Sequence, residues 1–127
     1  MGVGDWWVNK GYSRDPRLAQ AEERVWNALQ RLEDEEGTGL RLVYLECLRL
    51  WYSLSFMTYR CRDGFAVYYD GERYYIRRIR EWADGTVGWD LVTITGNDVP
   101  IDKIIARMRG LIRAGRARKL MRIRWGP

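Results

Sequence analysis

The side chains best equipped for chemistry in this sequence are cations near its C-terminal end. Lys103, Arg107, Arg109, Arg113, Arg116, Arg118, Lys119, Arg122 and Arg124 follow one another with no carboxylate between them. Cations in such a run can neutralise several phosphates in a row, which yields salt-dependent affinity without base readout. Arg outnumbers Lys, and its planar fork suits phosphate oxygens. Arg77 and Arg78, with Arg80 nearby, stand among Tyr68, Tyr69, Tyr74 and Tyr75. On a sheet, aromatics interleaved with arginine can stack unpaired bases. The other reading is that the tyrosines are core and the arginine stems lie along them.

Other chemistries are poorly supplied. The chain has no His, which removes His-based zinc sites, Ser-His-Asp and Cys-His pairs, and imidazole acid-base work near neutral pH. Asp63, Asp70, Glu72, Asp84 and Asp90 fall in or beside turn patterns, where Asp and its neighbours act as turn formers. Cys47 and Cys61 lack CxxC spacing and are read as buried small hydrophobes, with a disulfide between them as the alternative. Neither a metal nor a cofactor is expected.

These residues need a scaffold to position them. At 127 residues, 46% hydrophobic and 13% aromatic, the chain can bury a core as one domain and is too apolar for disorder. Its apolar residues are too broken by charge for a membrane span, and the start of the sequence has no signal-peptide core. The expected location is the cytoplasm, or a virus particle. Residues 1–15 read as an N-terminal arm carrying Trp6, Trp7 and Tyr12, and residues 16–127 as a single domain.

Asp15-Pro16 predicts a helix start and Gly37 its end, with Leu18, Ala21, Val25, Ala28, Leu29 and Leu32 on one face. Glu33 to Glu36 sit against the negative end of its dipole. A second, largely buried helix is predicted from about Thr38 to Trp51, since Leu40, Val43, Leu45, Cys47, Leu48, Leu50 and Trp51 surround it. Ser53 to Arg80 then predicts a three-stranded meander with turns at Arg62-Asp63-Gly64 and Asp70-Gly71. Another turn at Ala83-Asp84-Gly85 leads to a fourth strand, Thr86 to Ile94, with a bulge allowed near Asp90. Val99-Pro100 opens an amphipathic helix ending at Gly115, and Arg118 to Trp125 predicts a final strand. The fold class is α+β: two N-terminal helices, a three- to four-stranded meander, an amphipathic helix and a final strand.

In order and wording, Leu42 to Trp125 resembles the archaeal Holliday junction resolvases and the wider restriction-endonuclease-like scaffold. The segments that carry the likeness are LVYLECLRLWYSLSFMTYRCRDG, FAVYYDG, ERYYIRRIR, VPIDKIIARMRGLIRAG and RKLMRIRW. Aligned on Gly71, the family's acid and lysine fall at Arg77 and Ile79, and the earlier acid at Gly64, with Asp63 one place off. Such nucleases hold Mg²⁺ with two carboxylates and position water with the lysine, so the resemblance implies a catalytically dead copy. The chain is also similar to the structural subunit of the archaeal tRNA splicing endonuclease.

The function expected is therefore non-enzymatic nucleic-acid binding, DNA before RNA and duplex or branched in form, by a homodimer with no membrane or small-molecule partner. Residues expected to make contact are the nine C-terminal cations with Arg77 and Arg78. A structural or assembly subunit, meeting an acidic protein or a packaged genome, is the second reading. A winged-helix regulator with Asp70-Gly71 at the wing tip is the third, although the pattern leaves it no recognition helix.

Overall fold

The structure is a computed structural model that describes residues 15–84, 86–96 and 99–115. The N-terminal arm up to residue 14 and the predicted final strand, Arg118 to Trp125, lie outside the described residues. The elements are α1 (Pro16–Glu36), β1 (Arg41–Ser53), β2 (Thr58–Tyr69), β3 (Arg73–Glu81), β4 (Val87–Gly96) and α2 (Ile101–Arg113). The strands form one antiparallel sheet in the order β1-β2-β3-β4. The class is α+β, as expected.

Helix α1 begins and ends where its caps predict. The Asp15 carboxylate accepts from the Arg17 N–H at 2.9 Å, Pro16 fills the first turn, and Gly37 closes the helix at φ 62°. Only glycine reaches that left-handed conformation without a Cβ clash. Its buried face holds Ala21, Val25, Trp26 and Leu29 and also two acids, Glu22 and Glu33.

The predicted second helix is corrected: Arg41–Ser53 is a 13-residue strand. Consecutive residues Leu42 to Cys47 are all buried, and alternation explains why. Arg77 and Glu81 point to α1, where they meet Glu33 and Arg24. Tyr44 and Glu46 point the other way, to Arg109 of α2. The two helices thus cover opposite faces of the sheet around β1 and β2. A strand covered on both faces reads as an unbroken apolar run, and such a run carries neither period.

The predicted Arg62-Asp63-Gly64 turn is also corrected, because β2 runs straight through it. The reversal lies earlier, between Ser53 and Thr58, with Met57 at φ 50°. Gly64 serves close approach instead: a Cβ there would lie 2.5 Å from the Glu46 carbonyl oxygen on β1. Asp70-Gly71 does turn the chain, with Gly71 at φ 101° and Asp70 Oδ1 accepting the N–H groups of Glu72 and Arg73 at 2.8 and 2.7 Å. On β4, Thr93 faces Ile76 and Leu91 faces Arg77, so Val92 is a bulge two residues beyond Asp90.

Cys47 and Cys61 are buried, and they are joined in a disulfide between β1 and β2. This corrects the reading of two unpaired thiols. The β2–β3 pairing covers only Gly64 to Tyr69, so among the described residues the β1–β2 hairpin continues beyond Gly64 as a two-stranded ribbon. The disulfide sits at the base of that ribbon.

Gly64→Ala should therefore destabilise the fold by about 3 kcal/mol, the upper range for forcing atoms into a packed site. Gly110→Ala, on the open face of α2 with nothing within 4 Å, should raise stability by up to ~1 kcal/mol. Denaturant unfolding of the two variants reads both values, and equal effects would contradict this account of Gly64.

Candidate functional site

The eleven predicted contact residues divide into three groups. Arg116, Arg118, Lys119, Arg122 and Arg124 lie outside the described residues. Arg77, Arg78 and Arg109 are paired with acids of the same chain. Lys103, Arg107 and Arg113 stand on the exposed side of α2.

The engaged arginines each meet a buried acid. Arg77 on β3 donates through Nη1 to Glu33 Oε1 at 3.0 Å, with its guanidinium 4.9 Å from the centroid of the Tyr68 ring. Its neighbour Arg78 faces the opposite side of the sheet and donates to Asp63 Oδ1 at 2.9 Å. From α2, Arg109 places Nε 2.7 and 2.8 Å from the two oxygens of Glu46, while its Nη2 donates to the Tyr44 hydroxyl at 3.0 Å. Tyr44 in turn donates to Glu46. Burial first, and then Glu46, raise the Tyr44 phenol well above its ordinary range, so it remains a neutral donor. The Glu46 hydrogen bond likewise raises Arg109 and keeps it charged.

The acids nearest to a catalytic arrangement are thus occupied. Asp63, read from sequence as a turn former, is a buried strand residue shared by Arg78 and Arg80. Ile79, where the nuclease resemblance puts a lysine, is buried in the core. Among the described residues, no group of three His, Cys, Asp or Glu side chains is placed to hold a metal ion. No described helix is long and apolar enough to cross a membrane.

Helix α2 presents the accessible charge. Its apolar stripe, Ile104, Ile105, Met108 and Ile112, is buried against the sheet. Helical spacing then turns Lys103, Ala106, Arg107, Gly110 and Arg113 outward. The small residues Ala106 and Gly110 leave low ground between the cations. Close by, Arg49 of β1 donates to the Arg113 carbonyl at 3.4 Å.

Sequence reasoning missed two features. The first is Glu81, whose carboxylate binds Arg24 Nε and Nη2, both at 2.7 Å, Arg60 Nη1 at 3.1 Å and the Cys61 N–H at 2.9 Å. Its only signal in the sequence is parity, since Arg77, Ile79 and Glu81 share a face. The second is the exposed apolar turn at Leu54, Phe56 and Met57. It went unseen because that turn has no Gly, Pro, Asn or Asp to mark it. No protein-family model, curated protein or solved structure matches the chain.

Burial raises the Glu81 carboxyl, but the bonds from Arg24, the Cys61 N–H and Arg60 outweigh it and hold the group below its ordinary value of 4.5. A carboxylate depressed by folding stabilises fully above its unfolded value, and that contribution is lost as the pH falls through the lower folded value. Glu81→Gln should cost about 3 kcal/mol at neutral pH, since it leaves two arginines facing no charge. It should also remove this acid-dependent component from the curve of stability against pH. An unchanged acid limb in the variant would count against Glu81 as its source.

Proposed function

We propose that the protein is a non-catalytic binding protein whose α2 face contacts the phosphates of a nucleic acid, duplex or branched DNA before RNA. One observation carries this reading: Lys103, Arg107 and Arg113 are exposed on one helix whose remaining arginine, Arg109, is paired with Glu46. The sequence adds five more cations after Arg113. On this reading Arg77 and Arg78 leave the contact set, because Glu33 and Asp63 already neutralise them. The nuclease-like pattern then reflects a scaffold kept for binding. The Cys47–Cys61 disulfide is the chemistry of an oxidising setting, so of the two expected locations the reducing cytoplasm fits it less well.

An assembly subunit is the second reading. The apolar side chains exposed at the β1–β2 turn favour it, because such clusters commonly mark contacts with other macromolecules.

Fluorescent duplex, single-stranded and four-way DNA, titrated at two salt concentrations with and without Mg²⁺, tests the first reading. Three phosphate contacts from α2 predict a log-log salt slope of about −2.7 on B-DNA, and steeper if the later cations take part. Lys103→Glu, Arg107→Glu and Arg113→Glu together should weaken binding more than tenfold without changing the circular dichroism spectrum. Unchanged affinity would reject this surface, and Mg²⁺-dependent cleavage would reject the non-catalytic assignment.

A further inference from the structure

The β1–β2 hairpin changes register where it leaves the sheet. Cys47 faces Gly64 and Arg49 faces Asp63, but Leu50 faces Cys61, so the pairing passes over Leu48 on β1 and Arg62 on β2. Bulges of this kind interrupt the ladder and bend the strands. The β2–β3 pairing ends at the same place, with Gly64 opposite Ile79. Arg49 and Arg62 are exposed there, while Leu48 and Leu50 are half-buried. Sheet and ribbon therefore meet at a seam where the backbone ladder is weakest.

The disulfide crosses that seam. Cys47 is paired just before it, on the sheet side, and Cys61 just after it, on the ribbon side, with their Cα atoms 5.8 Å apart. A bridge between directly opposed residues would reinforce one rung of the ladder. This diagonal one ties the two sides of the break together and sets the angle between them. Glu81 also holds the ribbon, through Arg60 and the Cys61 N–H, but such bonds break and re-form as a segment opens locally. The covalent bond limits how far that opening can go.

We infer that Cys47 and Cys61 form a redox-operated clamp on the ribbon: oxidised, the pair fixes the arm against the sheet, and reduced, it lets the arm swing at the seam. Both sulfurs are buried, so a reductant reaches them during local opening of the ribbon. One thiolate of a dithiol attacks a sulfur of the bridge, the S–S bond breaks and a mixed disulfide forms, which the second thiol of the reductant then resolves. The dithiol leaves as a disulfide, having given up an electron pair, and its protons end on the Cys47 and Cys61 thiols. The reduced form has acceptors in place, because Cys47 Sγ lies 3.2 Å from the Arg49 carbonyl oxygen and 3.8 Å from that of Asp63. The arm is then stiff in an oxidising setting and loose in a reducing one, and the inference does not depend on nucleic-acid binding.

Hydrogen exchange of the full chain, read by peptide mass spectrometry before and after treatment with dithiothreitol, tests the clamp. The untreated protein should show no free thiol, and dithiothreitol without denaturant should release both while the circular dichroism spectrum stays native. Amides from Leu50 to Cys61 should then exchange at least about tenfold faster, a modest share of what losing a covalent link across such a loop can do. Those of Phe65 to Tyr69, paired on both sides, should keep their rates. Reoxidation with glutathione disulfide should restore slow exchange in the ribbon, and Cys47→Ala with Cys61→Ala should match the reduced protein with no reductant added. A bridge that opens only in denaturant, a ribbon whose exchange does not change, or a change that reoxidation does not reverse would overturn the inference. Faster exchange across the whole sheet, or a reduced or doubly substituted protein without the native spectrum, would overturn it too and make the bridge a staple of the entire fold.

Discussion

The distal half of the longest hairpin depends on one carboxylate meeting one open strand edge. Strand β3 stops pairing with β2 at Gly64, which leaves Thr58 to Asp63 with one edge of backbone groups facing no strand among the described residues. Unpaired edges invite aggregation, and a two-stranded ribbon is marginal in water. Among the described residues, side chains bond to that edge. Glu81 accepts the Cys61 N–H, Arg24 donates to the Tyr59 carbonyl and Arg80 to the Arg62 carbonyl. The Glu81 backbone carbonyl also accepts the Trp51 indole N–H at 3.0 Å. With the disulfide at the base of the ribbon, this network makes the hairpin a fixed arm that can present its tip.

The same logic separates structural from available charge. Glu33, Glu46, Asp63 and Glu81 are buried, and each holds at least one arginine. Removing one partner of such a pair strands the other in a poorly hydrated site, which makes these pairs costly to break even where they add little net stability. They fix how the helices and β3 register on the sheet: Glu33 on α1 locks Arg77, and Arg109 on α2 locks Glu46. A count of basic residues therefore overstates the surface open to a polyanion. On α2 the exposed cations Lys103, Arg107 and Arg113 share one face.

Legibility in the sequence followed the strength of local signals. Asp15-Pro16 and Gly37 bound α1 because capping is decided within a few residues, and Asp70-Gly71 turned the chain for the same reason. The stripe from Ile104 to Ile112 placed α2. Arg41 to Ser53 was illegible as a strand because α1 and α2 cover both of its faces, which erases the alternation that would have marked it. Gly64 misled in the same way. Its glycine answers to a carbonyl on the neighbouring strand, a contact that exists only after β1 and β2 pair. At the candidate site, the exposed cations of α2 followed from helical spacing, while the loss of Arg77, Arg78 and Arg109 to internal partners required the tertiary fold. The Glu81 network and the exposed apolar turn are likewise products of pairing over long sequence distances.

Fixed arm and exposed side chains bear on one another. A flexible loop that displayed Leu54, Phe56 and Met57 could fold them back on its own scaffold, since burying each apolar side chain gains roughly 1.5–3 kcal/mol. The ribbon resists that collapse because Arg24, Arg60 and Glu81 tie its open edge to α1 and β3, while Arg17 lies 5.2 Å from the centroid of the Tyr59 ring near its end. Holding the tip out keeps that apolar area in water. The buried acids of the hairpin's base and the bare side chains at its end are then two halves of one arrangement, in which internal ion pairs hold an exposed apolar surface in place.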